Sequence, residues 1–173
     1  MKGKTLISFF SLAGDTYNVG VVTVGNTQLL ANHIASYLKG DLYHIIGDNK
    51  YPDDHMAIVR QAKEEMNSNL RPKLVNPLNN FSQYDRIFIG YPIWYKKPPM
   101  AVYSFFENFD FTDKKVFLFC THEGSGESGT FSLIKDILKN ANVSVDGLVM
   151  KGTEARKPDA KEKVEKWLKN LKL

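Results

Sequence analysis

Five short runs of β-branched and apolar residues alternate with longer stretches of helical periodicity, and this alternation is what most constrains the fold. The runs predicted as strands cover residues 5–10, 42–46, 86–90, 115–120 and 143–150. The stretches predicted as helices cover residues 27–38, 54–67, 100–109, 131–140 and 159–171. Such alternation is typical of α/β domains with a parallel sheet. We therefore expect residues 1–173 to form one α/β domain, since the length is close to an average domain of ~150 residues.

The loop after the first strand has the composition of a phosphate-binding loop. Residues 11–27 contain two Gly-x-Thr turns, at 14–16 and 25–27, and no lysine or arginine. Only the second turn leads directly into a helical pattern, so only this turn can direct a helix N-terminus at a phosphate. A triphosphate would normally also need the lysine of a Walker A loop, so the pattern favours a mononucleotide. An ordinary loop with a helix cap remains the alternative.

Two further loops are predicted at the same edge of the sheet, where open parallel sheets bind their ligands. Residues 90–102, GYPIWYKKPPMAV, place Trp94 and Tyr95 between prolines, either to cover the core or to form a wall for a planar ligand. Residues 121–129 contain G-x-G-x-x-G, but three polar residues separate the strand from its first glycine, which disfavours a dinucleotide fingerprint. Small residues there would instead permit close approach of a flat heterocycle.

Charge and cysteine content exclude several classes of function. Residues 1–150 carry 15 basic and 15 acidic side chains, and residues 151–173 carry 8 and 4, so the excess of positive charge lies in this C-terminal segment. This distribution does not form the basic groove of a nucleic-acid-binding protein. A single cysteine, Cys120, excludes an internal disulfide, and no stretch has the ~20 apolar residues of a membrane span. We expect a cytoplasmic protein that binds neither nucleic acid nor membrane and holds no metal.

Taken together, the three loops resemble those of the flavodoxins. The motifs are FFSxxG and GNT after the first strand, GYPIWY followed by PP after the third, and FxxCTHEGSGESG after the fourth. The resemblance spans nearly the whole chain and is to short-chain members whose phosphate loop is extended. It implies a three-layer α/β sandwich with a five-stranded parallel sheet of order 2-1-3-4-5 and FMN at the junction of its first and third strands.

The resemblance also implies which residues bind FMN. The phosphate would be held by Ser11, Ala13, Asn26 and Thr27, assisted by the backbone of Leu12. The flavin ring and ribityl chain would contact Pro92, Ile93, Trp94 and Tyr95. The pyrimidine edge would be surrounded by Thr121, His122, Glu123, Gly124, Ser125 and Gly126.

Two departures from the flavodoxin pattern bear on function. Flavodoxins usually have a glycine turn in the second loop, which favours the one-electron-reduced flavin, and a tyrosine in the third loop that stacks on the ring. Here no glycine follows Gly90 until Gly124, and the third loop has no aromatic residue. Flavodoxins are also typically acidic, whereas residues 1–150 are neutral, so a less negative potential is expected.

Three functions remain open at this point. The first is an electron carrier that retains FMN and exchanges electrons with a reductase and an acceptor protein. The second is an NAD(P)H-dependent FMN enzyme that reduces a small quinone-like substrate or a nitro compound. The third is a protein that keeps the fold without a flavin, because a fold alone does not determine function.

Overall fold

A computed structural model describes residues 3–171 and 173 as a parallel sheet flanked by helices. The strands are β1 (Lys4–Phe9), β2 (Gly14–Thr16), β3 (Gly20–Val22), β4 (Asp41–His44), β5 (Tyr84–Pro92), β6 (Lys115–His122) and β7 (Asn142–Lys151). The helices are α1 (Asn26–Leu38), α2 (His55–Asn67), α3 (Met100–Asn108), α4 (Thr130–Ile137), α5 (Gly152–Ala155) and α6 (Ala160–Asn170). A 3-10 turn, Phe81–Gln83, precedes β5.

The sheet has the strand order β4-β1-β5-β6-β7, and all of its neighbouring strands are parallel. Numbered along the chain without the two short strands β2 and β3, this is the predicted order 2-1-3-4-5, which is confirmed. The five predicted strands and the five long helices are all present, with ends that differ by up to three residues from the predicted bounds. The last strand, β7, is continuous, with a register shift against β6.

Alternating side chains of the central strands build a core on each face of the sheet. In β5, Ile87 and Ile89 pack into one cluster with α3 and α4, whereas Phe88 packs into the other with α1, α5 and α6. All three side chains are fully buried. A strand covered on both faces reads as a continuous apolar run, which is why these strands could be recognised in the sequence. The three-layer arrangement is therefore confirmed.

A hairpin within residues 11–27 was not predicted: β2 and β3 pair antiparallel there. Its register pairs Gly14 with Val22 and Thr16 with Gly20. The first Gly-x-Thr turn is thus a strand of this hairpin and not part of a helix N-terminus. No helix within the described residues is long and apolar enough to cross a lipid bilayer.

Candidate functional site

A cavity of about 340 Å³ lies at the carboxyl edge of the sheet, where the loops after β1, β5 and β6 meet. Most of the residues predicted for a flavin site line it. These are Ser11, Leu12, Asn26, Thr27, Pro92, Ile93, Trp94, Tyr95, Thr121, His122 and Glu123. The other predicted residues, Ala13, Gly124, Ser125 and Gly126, are not among its lining residues.

The N-terminus of α1 forms one end of the cavity. The residue before the helix, Gly25, provides no capping side chain; instead Ser11 Oγ accepts a hydrogen bond of 3.2 Å from the N–H of Gln28. Within residues 3–171, the N–H groups of Asn26 and Thr27 meet no protein acceptor. Free N–H groups at a helix N-terminus, together with the helix dipole, favour an anion.

Buried polar contacts hold this end of the cavity in place. His44 Nε2 donates a hydrogen bond of 3.0 Å to the carbonyl of Ser11, and its ring stacks on Phe9. Burial lowers the pKa of His44, and the hydrogen bond to Ser11 only partly opposes this effect. The hydroxyls of Thr27 and Thr121 share a hydrogen bond of 2.7 Å, which ties the first loop to the end of β6. These contacts fix the first loop to the ends of β4 and β6.

The loop after β5 presents Trp94 to the cavity through a tight turn. Backbone hydrogen bonds of 2.9 Å join Trp94 and Lys97 in both directions. The two residues between them, Tyr95 and Lys96, have φ of 48° and 63°, a left-handed conformation that usually selects glycine or asparagine. The loop therefore makes its turn without the glycine that flavodoxins usually have there. The indole of Trp94 packs edge-on against Phe10, at a centroid distance of 5.3 Å.

In the third loop, two side chains are already engaged with backbone groups. Nδ1 of His122 accepts hydrogen bonds from the N–H groups of Gly124, at 3.0 Å, and Gly126, at 3.1 Å. An accepting Nδ1 carries no proton, so the proton of the neutral ring lies on Nε2. Glu123 Oε1 accepts a hydrogen bond of 3.2 Å from the N–H of Thr153 in α5. The backbone N–H groups of Gly124 and Gly126 are thus directed at His122.

Sequence analysis missed one wall of the cavity, which the hairpin and α2 build together. This wall consists of Asp15, Thr16, Tyr17, His55, Ile58, Val59 and Ala62. The ring of Tyr17 stacks on that of His55 at a centroid distance of 5.7 Å and an angle of 17°. Tyr17 nevertheless remains 58% exposed, so this pair places an aromatic surface at the mouth of the cavity. The pair supplies aromatic groups that the third loop lacks.

A second omission is Arg156, which follows α5 and reaches the first loop from the far end of the chain. Its Nε donates a hydrogen bond of 2.8 Å to Oδ1 of Asn26. A terminal guanidinium nitrogen donates to the carbonyl of Val24. Residues 11–27 contain no lysine or arginine, but the guanidinium of Arg156 lies beside them.

Cys120 and His122 are two positions apart, but their surroundings do not support a nucleophilic pair. Cys120 is completely buried in the core cluster shared with α3 and α4. Burial, with a smaller contribution from Glu127, raises the pKa of the thiol to about 12. Since a thiolate is the reactive form, this cysteine is a core residue.

We expect the thiol of Cys120 to be unreactive in the folded protein. At pH 8, an aromatic disulfide reagent should label less than one thiol per hundred chains in the time that labels all of them in denaturant, because a pKa of about 12 leaves almost no thiolate. The measurement is the absorbance of the released thiolate, with and without denaturant. The labelling rate should increase as the pH is raised towards 10, as long as the protein remains folded. Rapid labelling at pH 7 would show that the strand opens on its own.

Comparison with known proteins agrees with this architecture. The sequence model of the family described as Flavodoxin matches residues 4–171. Comparison with curated protein sequences finds no match. Among solved structures, a Bacteroides uniformis protein assigned as a flavoprotein is 27% identical, with a TM-score of 0.76 over 98% of this chain and 100% of that one.

Two other structures share the fold. A Bacteroides eggerthii protein assigned as a flavoprotein is 25% identical, with a TM-score of 0.78 over 99% of both chains. A flavoprotein from Lactobacillus acidophilus, solved in complex with FMN, is 21% identical, with a TM-score of 0.68 over 96% of this chain and 99% of that one. Because the family match covers nearly the entire sequence, the chain belongs to the flavodoxin family.

Proposed function

We propose that this protein binds FMN in the cavity at the carboxyl edge of the sheet and transfers electrons between partner proteins. The bound flavin would supply the redox chemistry, and the protein would supply binding, orientation and electrostatics. The observation that carries the proposal is the cavity itself, which combines a free helix N-terminus with aromatic walls. A volume of about 340 Å³ lies near the lower end of small-molecule sites, which suits one bound ligand.

The α1 end of the cavity fits a phosphate monoester. The free N–H groups of Asn26 and Thr27 are donors, and the hydroxyls of Ser11 and Thr27 are short enough to leave the approach open. The close approach of the loop to itself requires glycine at position 25, since a Cβ there would lie 2.2 Å from Leu12 O and from Ser11 Oγ. The donor set therefore matches the phosphate of FMN without a metal or a Walker lysine.

The opposite part of the cavity fits a planar ring. Trp94, Pro92 and Ile93 form an apolar surface next to polar groups of Thr121 and Glu123. The indole is held from behind by Tyr51, at a centroid distance of 5.4 Å and an angle of 81°. A fixed aromatic wall beside a few hydrogen-bonding groups is the usual form of a site for a flat heterocycle.

The mouth of the cavity favours an electron carrier. Tyr17 and Tyr95 both line the cavity and remain 58% and 44% exposed. Exposed aromatic residues around a bound cofactor provide a surface on which a reductase or an acceptor protein can dock. A carrier needs such a surface, and it needs no second pocket for a substrate.

Anaerobic photoreduction of the purified protein tests this proposal. The protein should be yellow or become so with added FMN, and stepwise reduction should pass through a one-electron-reduced species with its own visible absorption. Direct conversion to the fully reduced form would contradict the one-electron carrier. A protein that stays colourless after FMN is added would contradict flavin binding itself and favour the flavin-free alternative.

The stacked pair of Tyr17 and His55 supports a second candidate, an NAD(P)H-dependent reductase of quinones or nitro compounds. A phenol and an imidazole at the mouth of the cavity offer groups that can donate a proton to a reduced acceptor. Turnover of NAD(P)H with a quinone by the FMN-loaded protein, lost in H55A but not in the neighbouring variant M56A, would establish this enzyme. No turnover across a panel of acceptors would exclude it.

A further inference from the structure

The segment that follows β7 packs against the first loop at a glycine. α5 begins at Gly152, where a Cβ would lie 2.1 Å from Nδ2 of Asn26 and 2.3 Å from Oε1 of Glu123. Glycine at this position thus allows α5 to approach both loops. Four residues later, Arg156 hydrogen-bonds to the side chain of Asn26 and to the carbonyl of Val24. This arrangement joins the C-terminal part of the chain to the first loop.

The contact determines how the amide of Asn26 is oriented. A guanidinium group only donates hydrogen bonds, so the oxygen of the amide must face Arg156, and the distance from Nε to Oδ1 is 2.8 Å. The donor Nδ2 is then directed away from Arg156. Because Asn26 is 9% exposed and lines the cavity, its amide cannot rotate freely in solvent. Arg156 therefore fixes the orientation of this amide, with Oδ1 towards the guanidinium and Nδ2 beside Gly152.

Arg156 also brings positive charge to a loop that has none of its own. Residues 11–27 contain Asp15 but no lysine or arginine. Within residues 3–171, no carboxylate lies within 4.0 Å of the Arg156 guanidinium, in contrast to Arg71, which pairs with Glu107. The charge of Arg156 is thus not neutralised by a close ion pair and can act on an anion bound at the N-terminus of α1.

We propose that Arg156 is a positioning residue that makes this site select a phosphorylated flavin over riboflavin. The inference rests on the proposed function, since it concerns the phosphate of the same ligand. Arg156 acts in two ways: it orients the amide of Asn26, and it adds a positive charge beside the helix N-terminus. Neither effect concerns the ring, so riboflavin, which has the same ring and no phosphate, should be bound independently of Arg156.

The test compares the dissociation constants for FMN and for riboflavin, measured by quenching of flavin fluorescence. R156Q should weaken FMN binding about 10-fold, the effect of one lost charge-assisted interaction, and change riboflavin binding less than 2-fold. The matched control is K157Q, which removes the same charge from the adjacent position; both residues are exposed, but only Arg156 contacts the first loop, so K157Q should leave both affinities within 2-fold. R156K keeps the charge but lacks the planar guanidinium whose separate nitrogens reach Asn26 and Val24, so its FMN affinity should fall between those of wild type and R156Q.

Several outcomes would overturn the inference. An unchanged FMN affinity in R156Q would show that the residue does not act on the phosphate. An equal loss for both flavins would show that Arg156 only supports the structure, and an equal loss in K157Q would indicate a general charge effect. If R156Q does not fold, R156K replaces it in the test. Affinities of R156K equal to those of wild type for both flavins would then overturn the inference. Wild-type protein that binds neither flavin would remove the proposed function and this inference with it.

Discussion

Replacing Gly25 with alanine should abolish tight binding of FMN while the protein remains folded. The backbone at Gly25 has φ of −68° and ψ of 157°, which alanine adopts without strain, so the effect is purely steric. The new Cβ would lie 2.2 Å from both Leu12 O and Ser11 Oγ, and the loop must move away from the N-terminus of α1. The phosphate would then lose the hydroxyl of Ser11 and the N–H donors of Asn26 and Thr27. This loss should raise the dissociation constant on the order of 100-fold.

The stability of G25A should fall by about 1–3 kcal/mol, the usual cost of overpacking. This loss leaves a typical domain folded. Circular dichroism during thermal unfolding measures it, and fluorescence quenching measures the affinities for FMN and riboflavin. The control is G20A in the hairpin, where φ is +92° but no atom lies within 4 Å of the new Cβ. G20A should lose stability through backbone strain and keep its FMN affinity within about 3-fold. Tight FMN binding by G25A would exclude this loop as the phosphate site.

The fold was predictable because its central strands are covered on both faces. Residues such as Leu6 and Ile7 in β1 are both fully buried, one on each side of the sheet, so the strand appears in the sequence as an unbroken apolar run. The start of α1 at Gly-Asn-Thr, residues 25–27, was equally predictable, because this turn leads directly into the periodic pattern of the helix. Local sequence carries this information without any knowledge of distant contacts.

The hairpin in the first loop was missed although its turn left a trace in the sequence. Its strands are three residues each, too short to show alternation. The turn between them contains Asn18, and β3 begins at Gly20; these two residues have φ of 58° and 92°. A connection of three to five residues that contains glycine, between β-rich runs, is a hairpin signal. Recognising it would have placed Tyr17 at the tip of a hairpin, but not over His55.

The wall from α2 and the contact of Arg156 could not be predicted from local sequence. Arg156 and Asn26 are 130 positions apart, and their contact depends on how α5 packs beside α1. His55 lies at the start of an amphipathic helix whose position over the cavity is set by tertiary packing alone. In both cases the side chain is ordinary for its element, and only the folded structure gives it a role.

Replacing Glu65 with leucine should cost about 3–5 kcal/mol of stability, because a buried hydrogen-bonding network would lose its acceptor. The carboxylate is 6% exposed and accepts hydrogen bonds from Asn49, at 2.8 Å, Gln61, at 2.9 Å, and Tyr51, at 2.7 Å. Without Glu65, three donors lose this acceptor. E65Q keeps the shape of the side chain and should cost about 1–2 kcal/mol, since an amide accepts hydrogen bonds only at its one oxygen.

Denaturant unfolding followed by tryptophan fluorescence measures these differences. The matched control is E64L, which makes the same change at the adjacent exposed position and should alter stability by less than about 0.5 kcal/mol. Because Tyr51 packs edge-on against Trp94, E65L should also loosen the aromatic wall of the cavity and weaken FMN and riboflavin alike. Equal stabilities of E65L and E64L would contradict a structural role for the network.

The network should also make the stability of the protein fall at alkaline pH, and this fall should be smaller in Y51F. Burial, followed by the hydrogen bond to Glu65, raises the pKa of Tyr51 well above its ordinary value. A raised pKa stabilises the folded state fully below the unfolded value of about 10, and this contribution is lost as the pH rises further. The stability difference between wild type and Y51F should therefore be constant from pH 7 to 9 and shrink above pH 10. Other tyrosines with raised pKa values, such as Tyr91, are present in both proteins and cancel in this difference. A difference that grows with pH would show that Tyr51 ionises more easily in the folded protein than in the unfolded chain.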